Sequence, residues 1–175
     1  MIYEMMRLST LPNTIMLEGN HERHIANFAF NTNLDHSKRF MKEVVAPIVK
    51  DMTKKDVESL QRELRLFYKS LRQCYPFSFH GKKYLVSHAG LSYVPNMTFI
   101  ATSTFINGFG AYETDIAKVY DTNYEKGMCQ DFIQIHGHRG VPDGKYSFCL
   151  EGEVEFGGEL KYIDITKDSF TKNGI

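Results

Sequence analysis

The sequence predicts an α/β (α+β) fold, and three observations predict it: a long stretch of helical apolar periodicity, a set of short β-prone runs, and glycine-bearing polar loops placed directly after those runs. The helical stretch runs from about His24 to Arg72. Phe40, Val44, Val45, Ile48 and Val49 form one apolar stripe there, and Val57, Leu60, Leu64, Phe67 and Leu71 form another. Lys54, Lys55, Glu58 and Arg62 fall between the stripes, as solvated helix faces require.

Ahead of this region, Ile2, Met5, Met6 and Leu8 lie near helical spacing within Met1 to Thr10, with no capping residue before them, so the chain is expected to begin inside a helix. Leu11-Pro12-Asn13 reads as a turn and Thr14-Ile15-Met16-Leu17 as a short buried strand that ends at a glycine. Beyond the helices, Tyr75 to Phe79 and Tyr84-Leu85-Val86 flank His80-Gly81-Lys82-Lys83 as a hairpin whose second strand delivers His88 into a loop. Phe132 to Ile135 repeats that arrangement before His136-Gly137-His138, and the runs Tyr146 to Leu150 and Leu160 to Ile165 close the chain as further strands.

At 175 residues and 42% hydrophobic content, one domain with a core is the expectation over residues 1–175. Lys+Arg and Asp+Glu both number 21, so no overall field favours nucleic acid or acidic lipid. Cys74, Cys129 and Cys149 are odd in number and lack a CxxC pair, which argues against a disulfide framework or a structural zinc site and for reduced core thiols. Met1-Ile2-Tyr3-Glu4 lacks the basic start of a signal peptide, and no apolar run approaches the ~18 residues of a membrane span, so a cytoplasmic protein without a membrane partner is expected.

Three strand ends carry histidine or asparagine beside glycine: Gly19-Asn20-His21-Glu22, Ser87-His88-Ala89-Gly90 and Gly137-His138-Arg139. Open α/β sheets bind ligands at such edges. Imidazole and oxygen donors around an open position suit a metal that polarises a phosphoryl oxygen, so the constellation points to phosphoester hydrolysis. A single histidine beside a glycine is more often a hydrogen-bonded loop residue. Asn20-His21-Glu22 is the stronger motif, because three polar residues after a buried strand cost desolvation unless they serve something.

In their order, these segments resemble the last three motifs of the calcineurin-like metallophosphoesterase superfamily: Gly-Asn-His-Asp/Glu, a lone His, then Gly-His. Cys149-Leu150-Glu151-Gly152 and Phe156-Gly157-Gly158-Glu159-Leu160 resemble its closing segment, with Glu151 where an aspartate is usual. The branch most similar holds serine/threonine protein phosphatases and the phosphatase module of bacterial polynucleotide kinase-phosphatase. The resemblance implies a β-sandwich flanked by helices, with a helical insert at about residues 24–73.

It further implies that Asn20, His88 and His138 ligate the second of two divalent metals, manganese by analogy, with iron, zinc or nickel also suited. His21 would protonate the leaving alkoxide while a metal-bound hydroxide attacks the phosphomonoester. Glu22 would hold the loop or orient a histidine. His136, two residues from His138 and on the same face of an extended strand, would be a supporting or structural group, and Arg139 a phosphate contact or a surface arginine.

Asp-x-His and Gly-Asp-x-x-Asp, the family's first two motifs, occur nowhere among the aspartates; Asp35-His36 is adjacent rather than spaced and reads as a helix-cap region. The expectation is an N-terminally truncated piece, the C-terminal portion of the domain, inactive by itself, whose partner would be a missing N-terminal portion or fused domain. Its substrate would be a phosphoprotein or a nucleic-acid end. The alternatives are a non-catalytic binding domain retaining the fold, and an RNA- or DNA-end repair phosphatase.

Overall fold

The computed structural model describes residues 2–32, 37–94, 96–97, 100–110, 115–140, 142–167 and 170–174. Asp35 and His36 lie outside them. The fold is mixed, with helices and a four-stranded mixed sheet, and the chain divides into two compact units, Met1–Arg72 and Gln73–Ile175.

The first unit is helical. Helix α1, Ile2–Ser9, precedes an extended segment and helix α2, Glu22–Ala29. The extended segment departs from the expected buried strand, because only Leu17 forms a bridge, parallel to Arg72, and Ile15 is 42% exposed. Among the described residues Arg72 is its one ladder partner, donating its N–H to Met16 O and accepting from Glu18 N, and one bridged residue cannot propagate a ladder.

Next comes a nearly continuous helical run of α3 (Lys38–Phe40), a π-helical turn (Met41–Val45) and α4 (Ala46–Val49). The π turn has a sequence cause. Pro47 has no N–H and its ring would collide with a carbonyl one α-turn back, so the helix widens ahead of it, and Ala46 N reaches back to Met41 O. Helix α5, Lys54–Ser70, starts at a capping box: Asp56 N–H donates to Thr53 Oγ1, while the Thr53 N–H and hydroxyl donate to Asp56 Oδ2. Ile25, Phe28, Ala29, Val45, Leu60 and Leu64 form the core. Both expected stripes contribute to it, although Val44 turns outward.

The second unit is built on a sheet of order β1-β2-β3-β4. Strands β1 (Cys74–Phe79) and β2 (Lys82–Ala89) form the expected antiparallel hairpin. His80 and Gly81 both have positive φ, 46° and 76°, the backbone a two-residue turn needs to match strand twist. Strand β3 (Phe132–Gly137) runs parallel to β2, and β4 (Ser147–Cys149) parallel to β3. Between β2 and β3 lie helices α6 (Thr102–Asn107) and α7 (Ile116–Glu125). Leu85, Leu91, Val94, Phe105, Tyr120 and Cys129 are the core beneath the sheet.

A short 3₁₀ turn, Val154–Phe156, leads to a second sheet of two strands, β5 (Lys161–Ile165) and β6 (Phe170–Gly174). Phe170 stacks on Tyr84 and meets Phe148, joining the small sheet to the large one. All three cysteines are free thiols, two of them buried. Among the described residues, no helix is long and apolar enough to cross a membrane.

Candidate functional site

Parallel strands β2 and β3 end side by side, and each end carries a histidine. β2 would deliver His88 at a pleat position set by its pairing with β3, but the register shifts there: Val86 faces Ile135, whereas Ala89 faces Gly137. One extra residue is thus inserted on β2 at Ser87-His88, a bulge of the kind that re-aims a side chain. The Ser87 hydroxyl donates to Ala89 O at 2.6 Å and holds the bulge closed.

His138 follows β3 directly and has φ of 67°, a left-handed conformation that a β-carbon disfavours. Its N–H donates to Glu151 Oε2 at 3.0 Å. The other Glu151 oxygen accepts from Glu153 N, and its main-chain carbonyl from Lys161 Nζ. Glu151 therefore fastens the backbone that carries His138 rather than reaching for a ligand itself.

These two irregularities bring the imidazoles of His88 and His138 together, with ring centroids 4.8 Å apart and planes inclined by 39°. Both residues are half-buried. Metal–nitrogen bonds of about 2.1 Å put two imidazole centroids on one ion roughly 4.5–5.3 Å apart at octahedral to tetrahedral angles. The observed separation fits one ion held by two imidazoles. Among the described residues no group of three or more His, Cys, Asp or Glu side chains is poised around a metal, and the pair brings no carboxylate.

His136 is not beside them. β3 stops at Gly137 and the left-handed turn at His138 breaks the alternation, so the shared face expected of an extended strand does not arise. His136 is 1% exposed, donates from Nδ1 to Gly137 O at 3.0 Å, and turns Nε2 towards Ser147 Oγ at 3.4 Å. A β-carbon on Gly90 would sit 2.6 Å from Ile116 Cγ2 and 3.1 Å from this ring, so glycine there makes room for both. Arg139 is not a surface residue: it is 2% exposed, with Nη2 directed at the carbonyls of Asn107 and Gly110.

In the first unit, Gly19-Asn20-His21-Glu22 forms the loop into α2. Glu22 Oε2 accepts the Gly19 N–H at 2.7 Å and closes the loop on itself. His21 is exposed at the N-cap of α2, where its side chain caps nothing, and its ring lies 5.9 Å from that of His24. Asn20 is half-buried. His24 is committed elsewhere, stacked on Phe40 with Nδ1 2.9 Å from Ser37 Oγ.

Sequence reasoning missed Gln134. It is fully buried on β3, accepts the Leu91 N–H at 3.0 Å, and donates to Leu91 O at 3.1 Å and Ser147 Oγ at 2.7 Å. Its side-chain amide thus imitates a β-ladder partner for the backbone three residues beyond His88. A lone glutamine inside an apolar run was the available signal.

No protein-family model matches the chain, and no curated protein matches it.

Proposed function

We propose that this chain carries the second-metal half of a binuclear phosphoesterase centre of the calcineurin-like kind, with His88 and His138 as imidazole ligands. The supporting observation is the 4.8 Å pairing of the two rings at adjacent parallel strand ends, each built by a backbone irregularity where ordinary strand geometry would separate them. Helping it is the motif order in the sequence, in which Asn20 is the oxygen ligand and His21 the proton donor to the leaving alkoxide.

A divalent ion there, manganese by analogy, supplies Lewis acidity towards a phosphoryl oxygen. The chain's own residues do the rest. The bulge at Ser87-His88 and the Glu151 clamp orient the two rings, and preset ligand geometry spares the ordering cost of binding. Glu22 holds the loop on which Asn20 and His21 sit. His21 is solvent-accessible, so its ring is open to an approaching substrate.

Asn20, His88 and His138 bring no negative charge, and neither Asp-x-His nor Gly-Asp-x-x-Asp occurs in the sequence. The chain alone should therefore bind one ion weakly and hydrolyse no phosphomonoester. Substrate class, phosphoprotein or nucleic-acid end, follows from neither motif.

Manganese titration followed by proton NMR tests the reading. Paramagnetic broadening should fall first on the His88 and His138 ring protons, and His88→Ala should abolish it at His138. Broadening that spares both rings, or that persists at His138 in the variant, sinks the metal assignment. Manganese-dependent hydrolysis of p-nitrophenyl phosphate by the chain, lost on His21→Ala, would overturn the expected inactivity.

A further inference from the structure

We infer that an open groove of about 870 Å³ in the first unit, between α2, the π turn and α5, is a nucleotide-binding site. The groove belongs to the first unit and the paired histidines to the second, and the inference does not rest on the phosphoesterase reading. Its size falls within the range of small-molecule sites.

Three observations carry the inference. The first is Asn27, 4% exposed and facing the groove. Its Oδ1 accepts from the Thr32 hydroxyl, while Nδ2 has no hydrogen-bond partner among the described residues. The Nδ2 donor therefore opens onto the groove, where a ligand can accept from a side chain otherwise packed inside. Gln61 adds a complementary atom: its Nε2 donates to Phe28 O, which leaves Oε1 as an acceptor. An amide donor and an amide acceptor lining one groove are the groups that read the edge of a nucleobase.

The second is charge. Lys42 lines the groove without an ion-pair partner among the described residues, and none of the described lining residues is a carboxylate, so the described lining favours an anion. A lysine ammonium serves as a point charge for phosphate.

The third is the backbone. The π turn that Pro47 imposes runs through Met41 and Lys42 and sets both towards the groove. Single π turns in helices recur at functional sites. Phe28 and Met41 supply an apolar wall against which a base can lie, so one ligand carrying a flat hydrogen-bonding ring and a phosphate satisfies every group named.

The test is titration of the full chain with AMP, adenosine, inorganic phosphate and a short 5′-phosphorylated oligoadenylate, read on the Asn27 and Gln61 side-chain amide resonances. AMP should give saturable shifts at both, with adenosine and phosphate each at least tenfold weaker. Lys42→Ala, at an exposed position, should weaken AMP about tenfold, the usual worth of a charge-assisted hydrogen bond, and leave adenosine unchanged. Asn27→Asp keeps the acceptor for Thr32 and should remove AMP binding. Oligoadenylate binding tighter than AMP assigns a strand end; the reverse assigns a free nucleotide. No saturable shift with AMP, phosphate shifting Asn27 as strongly as AMP does, or Lys42→Ala without effect overturns the inference.

Discussion

Gln134→Leu is the sharpest perturbation of the second unit. Leucine has nearly the volume of glutamine, so the change opens little cavity and isolates the polar term. It removes the acceptor for Leu91 N–H and the donor to Leu91 O in a place where Leu91 is 1% exposed and water has no access. Ser147 Oγ loses a donor too, but keeps His136 Nε2 within reach. Two orphaned backbone groups cost about 1–3 kcal/mol each. Against a combined cost of about 4 kcal/mol at mid-range, the added apolar side chain returns roughly 1.5 kcal/mol, for a net loss of about 2.5 kcal/mol.

Native hydrogen exchange reads this at one residue. The Leu91 amide should exchange roughly seventyfold faster, the factor that about 2.5 kcal/mol corresponds to. Urea unfolding of the second unit should move to a lower midpoint at constant slope. Because Leu91 follows His88 by three positions, manganese broadening at the His88 ring should weaken as well. An exchange rate within threefold of the parent, with an unmoved midpoint, would refute the idea that Gln134 stands in for a strand at this site.

Thr53→Ala should cost the first unit about 1 kcal/mol through loss of the α5 capping box, measured by urea denaturation. The same hydrogen bonds from Thr53 hold the Asp56 carboxyl below its ordinary pKa, so that contribution is present above about pH 4 and fades as pH falls through the lowered value; Thr53→Ala should flatten this acid limb. Burial, with the hydrogen bond to Glu18, pushes the Tyr68 phenol up to about 12. Its stabilising effect is therefore complete below about pH 10 and lost as pH rises from there to 12, and stability curves of Tyr68→Phe should lack that alkaline loss. Gly108 has φ of 80° and ψ of −178°, and a β-carbon would lie 2.7 Å from Arg139 Nη2, so Gly108→Ala should destabilise by about 2–3 kcal/mol in thermal unfolding.

Element type was legible in the sequence wherever period and punctuation agreed. The stripe through Val57, Leu60 and Leu64 marks α5, and His80-Gly81 between β-prone runs marks the hairpin. Thr14–Leu17 misled because apolar content reports burial propensity and not the presence of a paired neighbour. β6 escaped because Phe170–Gly174, with its polar Thr171, Lys172 and Asn173, has no β-prone run, and only its pairing with β5 makes it a strand. For the candidate site, glycine-flanked histidines pointed at His88 and His138, but nothing local separates His136 from His138. The end of β3 at Gly137 and the sign of one φ do that.

That φ also bears on why the pair exists. A non-glycine residue held left-handed costs roughly 1–2 kcal/mol, which a glycine at 138 would not incur. If the imidazole served only packing, His138→Gly would relieve the backbone and stabilise the unit or leave it unchanged, while His138→Ala would keep the strain and lose the ring. If the imidazole is a ligand, both variants lose the metal-induced gain in stability, whatever each does to the metal-free chain. The two effects separate in one experiment: thermal unfolding of both variants with and without manganese. A metal-induced rise that survives in either would show that His138 is strained for a reason other than coordination.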